Sequence, residues 1–230
     1  MDQHSLPRID VIIAVKDGLP YVIHAIESVL DQFGVETHVI VVDDGSTDGT
    51  PDQVRQLNSS RVTVVSGHGH ESTCAARNRG IAMSSAPYLT FLDADDLWPP
   101  QRSLRLLHSL KNPEQEIAVG YVQEFNGDLP PQGEDVEPSS KFPVALCVGG
   151  SLMTRAVIDR VGLFDESLRV GEFVDWLARA RSLGIRERIV PTFSLFRRVH
   201  ERNTSRERRQ DYATDVMTII RRHHARQSSP

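Results

Sequence analysis

Apolar residues fall along this chain in two alternating rhythms. Ile9, Val11, Ile12, Ile13, Ala14 and Val15 make a mostly β-branched run that stops at Asp17-Gly18, the pattern of a strand buried on both faces. Pro20 suits the first turn of a helix. Val22, Ile23, Ile26, Val29, Leu30 and Phe33 then recur on one helical face until Gly34. A second continuous run over 37–42 ends in the polar stretch Asp43-Asp44-Gly45-Ser46-Thr47-Asp48-Gly49. The same alternation predicts a strand over 61–65, a helix over 72–83, a strand over 88–92, and a helix opened by Pro99-Pro100 that carries Leu104, Leu107 and Leu110. Repeated strand–helix units of this kind predict an α/β fold: a Rossmann-like, mostly parallel central sheet with helices on both faces. Ligands of such sheets lie beyond the carboxyl ends of the strands, where the acidic clusters after Val42 and Leu92 fall.

Further on, the pattern gives a strand over 117–122, a Pro-, Gly- and acid-rich surface loop over 127–140 able to act as a lid, and an apolar stretch over 145–152. A helix over 171–183 and an Arg-rich end from Arg197 follow. The expected organisation is one domain over 1–205 in two halves, about 1–112 and about 113–205, and a C-terminal helical arm over 206–230. The 230 residues are 39% hydrophobic and 25% charged, which excludes collagen, coiled coil and disordered chain. A net charge of −5 argues against nucleic acid as a partner. Two isolated cysteines, Cys74 and Cys147, form neither a disulfide framework nor a metal spacing, and fit a reducing, cytoplasmic setting. No apolar run reaches the ~20 residues that cross a bilayer, so no transmembrane segment is expected and membrane contact would be peripheral.

Three constellations carry chemistry. Asp44, at the end of the second strand, can accept the N3 hydrogen of a uracil or a ribose hydroxyl, with Gly45 turning the backbone beside the ligand; an Asx turn with a helix cap is the structural alternative. Asp93-Ala94-Asp95-Asp96 gathers three carboxylates whose repulsion a divalent cation, Mg²⁺ or Mn²⁺, relieves, its remaining positions filled by water and phosphate oxygens; a cap on the helix near Pro99 is the alternative. On a helix, Glu172, Asp175, Trp176 and Arg179 share one face, so two carboxylates point the same way and either can serve as a general base.

The segments VIIAVKDG, VIVVDDGSTDGT, ARNRGIA, YLTFLDADDLWPP, GGSLMTRAVIDRVGLFDESL and VGEFVDWLARA, in this order, resemble the inverting family-2 glycosyltransferases of the GT-A fold. The resemblance implies metal-dependent transfer of a sugar from a nucleotide-sugar donor, a UDP-sugar favoured, with inversion at the anomeric carbon. It implies that Asp44 contacts the nucleobase, that Ala14 and Val15 wall its pocket, and that Asp17 lies at the rim. Asp95 would hold the Mn²⁺ or Mg²⁺ under the diphosphate, and Asp93 would lie near the ribose and the metal shell. Arg77 would neighbour phosphate or nucleobase, with a helix-surface salt bridge as the alternative. Gly150 would belong to a small-residue turn that admits sugar or acceptor, or form a tight turn alone. His200 would reach the diphosphate or the metal, with Arg197, Arg198 and Arg202 beside it as phosphate ligands or as a solvated face. Similar enzymes carry Glu-Asp where this chain has Glu172-Phe173, which leaves the base between Glu172, favoured, and Asp175. Trp176 is an acceptor-stacking or a core residue. The acceptor stays open among glycan, lipid-linked intermediate, small molecule and peptide. Competing readings are a nucleotide-sugar binder that has lost its base and a phosphotransferase built on Asp93-Ala94-Asp95.

Overall fold

Seven strands join in one sheet in this computed structural model, which describes residues 6–69, 72–127, 138, 141–169, 171–200, 217 and 219. The proposed lid and the C-terminal arm fall almost wholly outside the described residues, as does Arg202. The elements run β1 (Arg8–Val15), α1 (Tyr21–Leu30), β2 (Glu36–Asp43), α2 (Thr50–Gln56), β3 (Val62–Ser66), α3 (Thr73–Met83), β4 (Tyr88–Phe91), α4 (Arg102–Ser109), β5 (Glu116–Phe125), β6 (Ser151–Thr154), α5 (Arg155–Val161), α6 (Glu172–Ser182) and β7 (Arg186–Arg198). Strand order is β3-β2-β1-β4-β6-β5-β7. β3, β2, β1 and β4 are parallel, β6 runs against both β4 and β5, and β7 returns parallel to β5. This is the mostly parallel α/β architecture that the strand–helix alternation predicts.

Each apolar run of the first hundred residues is continuous because both of its faces are covered. Ile9, Val11, Ile13 and Val15 of β1 pack with Val22, Ile26 and Val29 of α1 and Leu106 of α4, while Ile12 turns to the other face with Ala76 and Ile81 of α3 and Trp176 of α6. Gly80 lets α3 lie flat on that face: a Cβ there would sit 2.4 Å from Ile12 Cγ2. The Asp10 carboxylate fastens the end of α3 to β1, accepting from Ser84 Oγ at 2.6 Å and from the Ser85 and Ala86 amides at 2.8 and 3.0 Å.

Three expectations change. Phe33 lies beyond the end of α1 and is 70% exposed, because the helix stops at Leu30. The buried leucine of α4 is Leu106, with Leu104, Leu107 and Leu110 only partly covered. The Arg-rich end is preceded by β7, a thirteen-residue strand that the pattern does not announce. Its first half, Arg186-Glu187-Arg188, is polar, and Pro191 interrupts it; both are tolerated because β7 is an edge strand.

Burial alone would raise the Asp10 pKa, but Ser84, the two amides and His38 hold it below the ordinary carboxylate value. Its contribution to stability is therefore present above the unfolded-state pKa and is lost as pH falls through the lowered one. We expect urea midpoints to drop as pH is taken below about 4, and Asp10→Asn, weaker at neutral pH, to show a shallower drop.

Candidate active site

Parallel pairing puts the ends of β2 and β4 on either side of β1, two strand spacings or about 10 Å apart. Asp44 and the Asp93–Asp96 cluster therefore share one edge of the sheet. The Asp44 amide donates to Val15 O at 2.9 Å, which sets the residue beside the ends of Ala14 and Val15. Its side chain is turned inward: Oδ1 is buried and has no hydrogen-bond partner among the described residues. Gly67 passes so close that a Cβ there would stand 3.2 Å from that oxygen, so only a glycine leaves this wall open. A buried carboxylate oxygen without a donor is costly, and an N–H from a ligand recovers that cost.

The loops around Asp44 are tied to each other. Asp17, in the left-handed region at φ 50°, accepts from Thr47 N at 2.6 Å and Thr47 Oγ1 at 3.2 Å, while its own amide donates to Ser46 Oγ at 2.8 Å. Leu19 N donates to Asp48 Oδ2 and Gly18 N to Thr50 Oγ1, each at 3.0 Å. The Asp17 carboxylate is thus spent on shaping the Ser46–Thr50 loop.

The three acids after β4 each find a different partner. Asp93 accepts from Arg77 Nη2 at 2.7 Å, Asp95 Oδ2 lies 2.8 Å from His200 Nε2, and Asp96 accepts from the Arg198 amide at 2.9 Å. Burial pushes the Asp96 pKa well up and the Asp95 pKa up, helped in each case by the charge of Asp93, with the His200 contact opposing the shift at Asp95. The end of β7 and the residues just after it supply two of these partners from a hundred residues away. Arg198 is buried, donates to the carbonyls of Asp95 and Gly127, and stacks on the rings of Tyr21 and Phe125 at 4.5 and 4.7 Å. This corrects its reading as a phosphate ligand or a solvated face. His200 stacks on Tyr21 at 5.3 Å. Arg197 pairs with Glu124 at 3.4 Å.

Arg77 is 5% exposed, so the helix-surface reading of it is corrected. One guanidinium arm holds Asp93 and the other holds Glu172, the first residue of α6. Burial would lower its pKa, but the Asp93 and Glu172 carboxylates hold it above the ordinary arginine value.

Three further expectations are corrected on α6 and before β6. Asp175 is 1% exposed and accepts from Arg179 Nε at 2.9 Å, while Arg179 also donates to the Val161 and Leu163 carbonyls; this carboxylate braces α5 against α6. Trp176 is equally buried, donates to Gly162 O at 2.8 Å and stacks on Phe173, which makes it core. Gly150 answers to internal packing, since a Cβ there would lie 2.3 Å from Ala145 Cβ. Trp98 Nε1 and the buried Arg102 hold that turn by the Gly149 carbonyl, both at 3.3 Å. Tyr21, Gly67 and Trp98 were not singled out from sequence; apart from the tryptophan after the acidic cluster, nothing local marks them.

Among the described residues no three His, Cys, Asp or Glu side chains converge into a metal cage. The donors at hand are Asp95, the half-exposed Asp93, and His200, whose ring is on Asp95. That set fits Mg²⁺ or Mn²⁺, which take one or two carboxylates and complete their shell with water and phosphate oxygens. A cation there would also offset the Asp93 charge which, after burial, raises the Asp95 pKa.

The profile of Glycosyl transferase family 2 matches residues 10–150, more than half of the chain. The chain belongs to this family. Among the family-2 relatives, the succinoglycan biosynthesis protein ExoO of Rhizobium meliloti is 27% identical over 90% of this chain and 65% of its own length. ExoU of the same organism is 29% identical over 78% of this chain and 58% of its own length. The chain therefore spans about three fifths of these two relatives. The Escherichia coli protein WfaP, named a UDP-Glc:alpha-D-GlcNAc-diphosphoundecaprenol beta-1,3-glucosyltransferase, is 23% identical over 86% of this chain and 79% of its own length. The crystal structure of Staphylococcus aureus TarS 1-349 in complex with UDP superposes with a TM-score of 0.71 at 18% identity, over 94% of this chain and 65% of that one, which shows the shared GT-A fold. The family match ends at residue 150, ahead of Glu172 and His200, so their placement comes from the structure.

Because Asp175 is fully buried in an ion pair, Asp175→Asn will show itself as lost stability, by about 3 kcal/mol in urea unfolding. UDP affinity measured on the folded fraction will stay within about threefold, a change of under 1 kcal/mol.

Proposed function

We propose that this chain transfers a sugar from a nucleoside-diphosphate sugar, in preference a UDP-sugar, to an acceptor with inversion at the anomeric carbon. The observation that carries the reading is the buried Asp44 Oδ1 at the end of β2, without a hydrogen-bond partner among the described residues and beside the acidic cluster that follows β4. A uracil N3–H is a donor of the right kind for that oxygen, and Ala14, Val15 and Gly67 are its neighbours at the strand ends. The choice of uracil is supported by the TarS structures in complex with UDP and with UDP-GlcNAc and by the UDP-glucose in the WfaP name.

Asp95, with Asp93 and His200 beside it, is the place for Mg²⁺ or Mn²⁺ on the diphosphate. A cation there would offset the negative charge that grows on the leaving phosphate. Glu172 is the general base. As the acceptor oxygen bonds to C1, its proton passes to the Glu172 carboxylate, the bond from C1 to phosphate oxygen breaks, and the electron pair leaves with UDP. Glu172 is preferred because Asp175 is enclosed and Phe173 is packed into the core, 6.0 Å from Trp176 ring to ring. The acceptor remains open among glycan, lipid-linked, small-molecule and peptide classes. No helix among the described residues is long and apolar enough to cross a membrane. Two unpaired thiols, Cys74 buried and raised to a pKa of about 12, support a reducing compartment such as the cytoplasm.

The test is calorimetric titration with UDP and Mn²⁺, paired with assay of UDP release from a UDP-sugar panel. Asp44→Ala will weaken UDP binding about 10- to 100-fold, the value of a hydrogen bond to a charged group. Glu172→Gln will leave binding intact and slow turnover about 10²- to 10⁴-fold. Tight UDP binding without any turnover would identify a donor binder instead, and unaltered affinity in Asp44→Ala would remove the nucleobase assignment.

A further inference from the structure

Arg77 touches both the acidic cluster after β4 and the first turn of α6. We propose that Arg77 is a positioning residue for transfer: its guanidinium fork holds the Glu172 carboxylate against the Asp93 side of the site, and it acts on the reaction through Glu172. The inference rests on the reading of Glu172 as general base.

The geometry supports a role beyond joining helices. Glu172 follows Gly171, the residue before α6, which sits at φ 73° and offers no side-chain cap. The Glu172 carboxylate pairs with Arg77. Arg77 is rigidly placed from the other side. Ser72 caps α3 by accepting from Ala75 N at 3.2 Å. The neighbouring Asn78 grips Phe164 through both amide atoms, each at 2.9 Å, and bonds Glu166 Oε1 at the same distance. The segment leading into α6 and the arginine that aims Glu172 are thus fixed by consecutive residues of one helix.

The two arms differ in environment. The Glu172 side chain is 18% exposed and the Asp93 side chain 51%. The arm to Glu172 is the less screened and holds its partner more firmly. Each carboxylate takes one arm of the planar guanidinium, Nη1 to Glu172 and Nη2 to Asp93, so the rigid plane fixes the direction of one partner relative to the other, which a lysine ammonium does not. A base displaced by about 1 Å from the acceptor proton can lose about 10² in rate while donor binding is untouched.

The test uses the full chain with Mn²⁺ and a UDP-sugar it turns over, water standing in as acceptor, and compares Arg77→Gln, Arg77→Lys, Glu172→Gln and the two double variants. Expected are a fall in kcat of about 10- to 100-fold for Arg77→Gln, UDP affinity within about threefold, partial recovery in Arg77→Lys, and less than twofold further loss when either Arg77 change is added to Glu172→Gln. Multiplying losses in the double variants would overturn the inference, as would UDP affinity falling in step with rate, which would assign Arg77 to the donor through Asp93. Full activity in Glu172→Gln is a separate result: it removes the base reading, and the positioning role falls with it. Should Arg77→Gln fail to fold, Arg77→Lys carries the same comparison in both backgrounds.

Discussion

Negative charge brought together at the edge of a sheet must be answered by positive charge or by hydrogen-bond donors, and this constraint organises the whole molecule. Parallel pairing of β2, β1 and β4 leaves the chain no choice about where Asp44, Asp93, Asp95 and Asp96 end up. Their partners come from other elements: Arg77 on α3 for Asp93, and, from a hundred residues further on, the Arg198 amide for Asp96 and His200 for Asp95. β7, the last strand, is needed as much for the two partners at its end as for its place in the sheet. Asp44 stands apart, because its inner oxygen has no donor from the described residues. Among the described residues the acids after β4 are answered internally, while the inner oxygen of Asp44, the proposed nucleobase acceptor, is not.

A similar division runs through α6. Its buried face commits Phe173, Asp175, Trp176 and Leu177 to packing against the sheet and the Gly162–Leu163 turn. Glu172 alone, at the helix start, is directed to the acidic edge, and Arg77 directs it there. With the proposed base on the first residue of α6 and core on the next, the fit of the helix against the sheet sets where the Glu172 carboxylate lies. Small changes in core packing under α6 thereby reach the site.

The first four strands were legible because each is a continuous apolar run, the mark of a sheet covered on both faces, and the acidic strand ends were legible by the same logic. β7 was hidden because an edge strand covered on fewer sides is free to alternate Arg and Glu and to carry Pro191. At the site, Asp44 and the Asp93–Asp96 cluster could be named from local sequence. The pairing of Arg77 with Glu172 spans 95 residues and that of Asp95 with His200 spans 105, and no local spacing encodes either. Helical spacing grouped Asp175 and Trp176 with Glu172 correctly as neighbours on a helix; it is silent on which direction along that face meets solvent and which meets core.

If the end of β2 reads a nucleobase while the cluster after β4 receives the diphosphate, a crystal structure of this chain with UDP and Mn²⁺ will show a pyrimidine ring edge-on to Asp44 Oδ1 and the cation within bonding distance of Asp95. A nucleotide bound elsewhere, or one seated here with Asp44 untouched, would contradict that assignment.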